Sequence, residues 1–234
     1  GADPAAIVAQ AGMDMDAMTD RDARIPFDAY VLLTRAAIAA TGDPALPLHF
    51  GAEIDLSEVS IVGLIGLASE TMAEALIQLN RYGKLVIEVD VGGDRFANEM
   101  RDGGVWAVDR RANPNDFPEL TETTFARMLC GVRRIAPELR ALEVHVTHPA
   151  PAHAAVYQEV LGAPVTFSSH WNAYRVDPSF VTHRVQKQPR YVFGILTNHA
   201  EVLLREMEAA ATIRGQVEAL ALPLLHTGDI SIDR

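Results

Sequence analysis

The sequence predicts an α+β fold: N-terminal helices packed on a mainly antiparallel sheet with interleaved helices, followed by C-terminal helices. Three observations predict it. In the first third of the chain, apolar residues recur at helical spacing between Pro, Gly and Asp punctuation. From about residue 84 to residue 177 the period falls to two in several short runs, with helical runs between them. From Tyr191 onward the helical period returns. There is no internal repeat, low-complexity segment or flexible linker. Residues 1–210 therefore read as one domain, with 211–234 as a linker helix and the start of something further.

The first helix is set by Asp3 as N-cap, Pro4 at the first helical position and Gly12 just past its end. The second opens near Pro26, carries Phe27, Val31, Thr34 and Ile38 at helical spacing, and stops at Gly42 and Pro44. "LSEVSIVGLIGLAS" reads as a buried segment in which Gly63 and Gly66 permit close backbone approach. Thr71 and Glu74 form a capping box for a helix running to about Tyr82. "KLVIEVDV" (84–91) then reads as a strand ending in a Gly-Gly-Asp turn.

"RFANEMRDGGVWAVDRR" carries the signal of a hairpin around Asp102-Gly103-Gly104. Phe96, Asn98 and Met100 share one face of its first strand; Trp106 and Val108 share a face of the second. "ANPNDFPEL" is a loop, and "LTETTFARMLCGVRRI" is a helix with Phe125, Met128, Leu129, Val132 and Ile135 inward. Its "TETTF" is expected to act as a cap. "ALEVHVTHP" alternates, with Leu142, Val144 and Val146 inward. A short helix closes at Gly162, "PVTF" and "AYRVD" are short strands, "YVFGILTNHAEVLLREMEAAA" is a long amphipathic helix, and a last helix runs from Thr212 to Gly228.

Composition narrows the function. With 49% hydrophobic and 22% charged residues, the 234-residue chain can bury a sizeable core. Its longest apolar run, residues 59–69, is short of the ~20 residues that span a bilayer. No signal peptide is visible, so a cytoplasmic protein without membrane partners is expected, and the lack of an initiator Met reads as a trimmed N-terminus. The lone Cys130 rules out an internal disulfide framework and reads as a buried, inert thiol. A net charge of −11 repels phosphate backbones, and the arginine pairs at 110–111 and 133–134 read as isolated, exposed doublets.

Catalytic and cofactor motifs are missing: there is no glycine-rich dinucleotide or phosphate loop, no nucleophile elbow and no His-Glu-x-x-His. No cofactor is implied. His145, His148 and His153 are the nearest approach to a metal site, but strand alternation makes the first two diverge. Mutating His145 and His148 would test the remaining enzyme alternative. Paired acids such as Glu119 and Glu122 fall in first helical turns, where they complement the dipole. What remains is a candidate apolar pocket between sheet and helices, lined by Tyr82, Phe96, Met100, Trp106, Phe125 and Met128, with Arg127 placed to meet an anionic head group. The same residues also suit plain core.

Four stretches, taken together, resemble the N-terminal effector-binding (arabinose-binding-like) domain of AraC/XylS-type bacterial transcriptional regulators. They are "DPAAIVAQAG…RIPFDAYVLLTRAAIAATGDPALPLHFG", "SETMAEALIQLNRY", "VTHPAPAHAAVYQEVLGAPVTF…NAYRVD" and "LPLLHTGDISID". The resemblance implies a sensor of a small-molecule effector and a homodimer. It also implies DNA contact only through a helix-turn-helix domain that follows, with "LPLLHTGDISID" leading into its first helix. The helices expected to cover the sheet carry Leu, Met, Phe and Ala, not the dense polar set of a sugar site. An apolar or amphipathic effector, such as a fatty or aromatic acid, is therefore expected. A ligand-free dimerisation module built on helices 191–226 is the alternative.

Overall fold

A computed structural model describes residues 2–16, 24–89, 91–185, 187–210 and 212. Helix α1 (Pro4–Gln10) begins where its cap chemistry directs, with the Asp3 carboxylate accepting from the Ala5 N–H at 3.0 Å. Helix α2 (Phe27–Thr41) ends on Gly42 at φ +68°, a left-handed cap. Helix α3 (Leu46–Glu53) has no counterpart among the expected elements; it carries Pro47 in its first turn and buries Pro47, Leu48 and Gly51. The 56–69 segment is a pair of helices, α4 (Leu56–Val59) and α5 (Ile61–Ala68), capped by Asp55 and Ser60. Helix α6 (Met72–Tyr82) is capped by Thr71, whose hydroxyl accepts from the Glu74 N–H at 3.2 Å. The Glu74 carboxylate reaches back one residue further than a capping box requires, to the Glu70 N–H at 2.6 Å.

The sheet contains five strands in the order β1-β2-β5-β3-β4. These are β1 (Phe96–Arg101), β2 (Gly104–Asp109), β3 (Ala141–His145), β4 (Val165–Thr166) and β5 (Asn172–Val176). All pairs are antiparallel except β3 with β4. The hairpin turns on Asp102 (φ 53°) and Gly103 (φ 72°), two positive φ values that match the twist of the flanking strands. Helix α7 (Pro118–Ile135) lies between one sheet face and α3, followed by α8 (Ala154–Leu161), α9 (Ser179–Thr182) and α10 (Arg190–Ala210). Val105, Ala107, Val144, Tyr174 and Val176 meet Phe125 and Leu129 of α7 in the main core. The opposite sheet face carries a smaller cluster of Trp106, Val108, Ala173 and Trp171. Among the described residues no helix is long and apolar enough to cross a membrane.

Several expectations need correction. The described residues of 84–91 form no strand: a 3₁₀ turn (Gly83–Leu85) is followed by irregular chain, because Val86, Ile87, Val89 and Val91 turn their apolar side chains onto a cavity instead of pairing with β1. Leu142 points outward at 43% exposure, because a bulge between the Ala141 and Glu143 pairings breaks the alternation. "TETT" is no cap. It lies inside α7 with all four residues buried, and Phe117 holds the cap position without a side-chain bond. Arg111 is buried, donating to the Pro114 and Phe117 carbonyls and to Thr121. Arg133 bonds the end of α8 through the Leu161 and Val160 carbonyls. Gly66 has open space where a Cβ would stand, whereas Gly63 is the close approach. The expected 212–228 helix, and the 211–234 piece as a whole, fall almost entirely outside the described residues.

At Gly63 a Cβ would come within 2.3 Å of the Leu56 carbonyl carbon, which is backbone and has little room to yield. Gly63→Ala is expected to lower stability by at least about 1–3 kcal/mol, the range for overpacking. Gly66→Ala, which meets nothing inside α5, should instead raise stability by about 0.5–1 kcal/mol through helix propensity, and the two urea midpoints compared side by side check the difference.

Candidate ligand cavity

Helices α5, α6 and α7, the irregular 86–93 segment and the start of β1 surround a cavity of about 250 Å³. Its walls are largely apolar: Val62 from α5, Leu76 and Leu79 from α6, Val86 and Val89 from the irregular segment, and Met128 and Val132 from α7. The space arises from residue size. Gly66 and Gly131 line it, and a Cβ at either would meet nothing within 4 Å. A glycine in the middle of α7 costs helix propensity. Here it leaves a gap that neighbouring side chains do not fill.

Polar groups cluster towards β1 and α7. The Arg95 guanidinium holds Asp109 through two bonds, Nε–Oδ1 at 3.1 Å and Nη2–Oδ2 at 2.8 Å, and also donates to Thr124 Oγ1 at 3.2 Å. Asn80 pins the start of β1 to α6, donating to the Phe96 carbonyl at 2.7 Å and accepting from its N–H at 3.0 Å. Arg127 also lines the space, and its guanidinium makes no hydrogen bond or ion pair with any described residue. Burial pushes its pKa down to about 10, with Tyr30 opposing the shift and Arg95 adding to it, so the charge persists at neutral pH.

Of the seven residues singled out from the sequence, the structure brings Phe96, Arg127 and Met128 to this cavity. The other four lie elsewhere. Tyr82 is buried with Phe193 and Ala200, and donates to Glu201 Oε1 at 2.8 Å. Burial and then Glu201 push its hydroxyl up to about 12. Met100 is 69% exposed at the far end of β1. Trp106 is on the opposite sheet face, 5.1 Å edge-on to His145. Phe125 fills the core against Tyr174. Leu76, Leu79, Gly131 and Val132 were missed, although helical spacing puts Met72, Leu76 and Leu79 on one stripe and Thr124, Arg127, Met128 and Gly131 on another. A polar residue and a mid-helix glycine inside an otherwise apolar stripe were the available signal.

The three candidate histidines do not converge. His145 joins Trp106 and Trp171, whereas His148 and His153 flank Tyr157. The Tyr157 hydroxyl donates to Glu122 Oε1 at 2.5 Å, His153 Nε2 lies 2.9 Å from the same oxygen, and His148 Nε2 is 3.0 Å from the hydroxyl. Burial, reinforced by Glu122, pushes that hydroxyl far above the usual phenol range. The cluster fastens α8 and the His-Pro-Ala-Pro loop to α7.

The fold and cavity define an α+β domain holding an apolar chamber between its helices and its sheet. Residues 1–185 match the model of the arabinose-binding domain of AraC transcription regulators, N-terminal, and the chain belongs to that family. It is 24% identical over 202 residues to the ornithine utilization regulator of Pseudomonas aeruginosa, covering 85% of this chain and 58% of that protein. The crystal structure of the transcriptional regulator CdpR from the same species shares the fold at a TM-score of 0.53 and 19% identity. That match covers 82% of this chain and 60% of CdpR. The chain thus spans less than two thirds of the length of either relative.

Gly131→Ala is expected to raise stability by about 0.5–1 kcal/mol, the gain in helix propensity, because its methyl enters empty space. Equilibrium unfolding in urea measures this. A destabilised variant would mean that the chamber is closed in solution.

Proposed function

We propose that this domain is the effector-sensing module of a cytoplasmic transcriptional regulator, and that its cavity takes a small apolar or amphipathic molecule. Phe96, Arg127 and Met128 are the residues from the sequence reading retained for contact. The observation that carries the proposal is the chamber itself, apolar on most sides and bounded by α6. One face of α6 lines the cavity, and its ends hold α10. Arg81 and Tyr82 meet Glu201 at 2.6 and 2.8 Å, and Glu74 meets Arg190 at 2.8 Å. A ligand that favours one position of α6 thereby favours one position of α10. DNA contact belongs, on this proposal, to a helix-turn-helix domain outside residues 1–210. The net charge of −11 supports that division.

Neither name among the relatives suits the lining. A pentose needs a dense set of free polar partners, and on this lining Asn80, Arg95, Thr124 and Arg134 are already bonded within the protein. Free ornithine would bring two ammonium groups, and Asp55, the one carboxylate among the described lining residues, is already engaged by the backbone and hydroxyl of Ser57.

A thermal-shift series of fatty acids, aromatic acids and sugars tests the proposal. A ligand at a hundredfold its Kd stabilises by about 2.7 kcal/mol, or a rise of roughly 5–10 °C for a domain of this size. The rise is expected with the acids; stabilisation by sugars alone would overturn the reading.

A homodimer is part of the same proposal. Tyr191 (80% exposed), Ile195 (52%) and Val202 (40%) form an outward stripe along α10, which supports pairing through that helix. Ile195→Glu is expected to shift sedimentation towards the monomer. An unchanged profile would place any contact elsewhere.

A further inference from the structure

Charge on the cavity lining runs against the charge of the protein. Among the described residues, Lys84, Arg95, Arg127 and Arg134 line it against the one acid Asp55, in a chain whose net charge is −11. Most of these groups are already satisfied. Arg95 is neutralised by Asp109. Arg134 donates to the Ala52 and Ile54 carbonyls, Asp55 caps α4, and Lys84 is exposed at the rim. Arg127 is left, half-buried on the cavity wall, with no hydrogen bond or ion pair to any described residue.

A half-buried guanidinium that faces a largely apolar chamber without a protein partner keeps its donors available to a ligand, and charged groups in such settings are normally paired. Its planar fork presents two parallel N–H donors, which match the two oxygens of a carboxylate. The remaining surfaces around it, from Leu76, Leu79, Phe96, Met128 and Val132, offer an anion nothing and an apolar body a great deal. At ~30 Å³ per water-sized group, the chamber holds at least about eight such groups, the size of a medium-chain or phenyl-substituted acid.

We infer that the cavity takes a small organic monoanion, a carboxylic acid with an apolar body, whose carboxylate meets the Arg127 guanidinium. This rests on the reading of the chamber as an effector site. The acid head fixes orientation and the walls accept the tail. A neutral ligand of the same shape would leave Arg127 unmatched, so the site discriminates by charge, not only by size.

The test compares acids with their neutral counterparts by titration calorimetry on the chain as it stands: octanoate against 1-octanol, and phenylacetate against 2-phenylethanol. On the wild-type chain each acid is expected to bind roughly tenfold to a hundredfold more tightly than its alcohol, the range for a hydrogen bond to a charged group. Arg127→Met should erase that ratio while leaving alcohol binding in place, which also shows that the variant is folded. Arg127→Lys should keep part of it. Equal affinity for acid and alcohol on the wild-type chain overturns the anion assignment and leaves the apolar site standing, and a preference that survives in Arg127→Met overturns the role of Arg127. If Arg127→Met does not fold, the wild-type ratio and Arg127→Lys decide. Failure of all four probes to bind overturns the effector reading itself.

Discussion

Four consecutive polar residues inside α7 must all be buried, and each solves the problem by bonding a different part of the chain. Thr121 accepts from Arg111, beyond the end of β2. Glu122 accepts from Tyr157 of α8 and faces His153. Thr123 donates to the Pro47 carbonyl of α3 at 3.2 Å, and Thr124 accepts from Arg95, just ahead of β1. One turn of helix thus faces four directions, and no rotation or slide of α7 satisfies all four at once. Left unbonded, each of these groups would cost on the order of 1–3 kcal/mol. The position of α7 fixes the main core on one side and one wall of the cavity on the other. Gly51 completes the constraint: a Cβ there would approach the Thr123 carbonyl oxygen to 2.4 Å, so α3 and α7 touch backbone to backbone.

Local chemistry was the most legible part of the sequence. Asp3, Gly42, Thr71 and Gly162 cap the helices they were expected to cap, because a cap depends on a handful of neighbouring atoms. The Asp-Gly hairpin turn is equally local. Reading failed where tertiary packing outweighed pattern. Residues 84–91 have strand composition, and their alternation is real, but it serves a cavity wall. Leu142 alternates correctly in sequence, and a bulge reverses it. "TETT" has the composition of a helix start, and nothing local reveals that Arg95, Arg111, Pro47 and Tyr157 will converge on it from positions up to 76 residues away.

The candidate site was legible in kind but only partly in detail. An aromatic or methionine between sheet and helices is cavity or core according to which sheet face it occupies and how far along a strand it lies. Trp106 and Met100 were lost on those two counts. Tyr82 was lost because its hydroxyl found Glu201 on α10. Arg127 was legible because a lone arginine within the apolar stripe of a helix already poses a question of partners. The residues that shape the space are glycines and aliphatics, and an absent side chain is the hardest feature to see in a sequence.

The irregular wall has a consequence for how the chamber exchanges its contents. Val86 and Ile87 bond back to Gly83, and none of the described residues from there to β1 has a place in the sheet. A wall held by side-chain packing opens at lower free energy than one held by a backbone ladder. The chamber therefore has its weakest side in the 86–93 segment, apart from the buried polar turn of α7. If the chamber takes an effector as proposed, a molecule that packs on Val86 and Val89 adds contacts to the wall that the sheet does not hold.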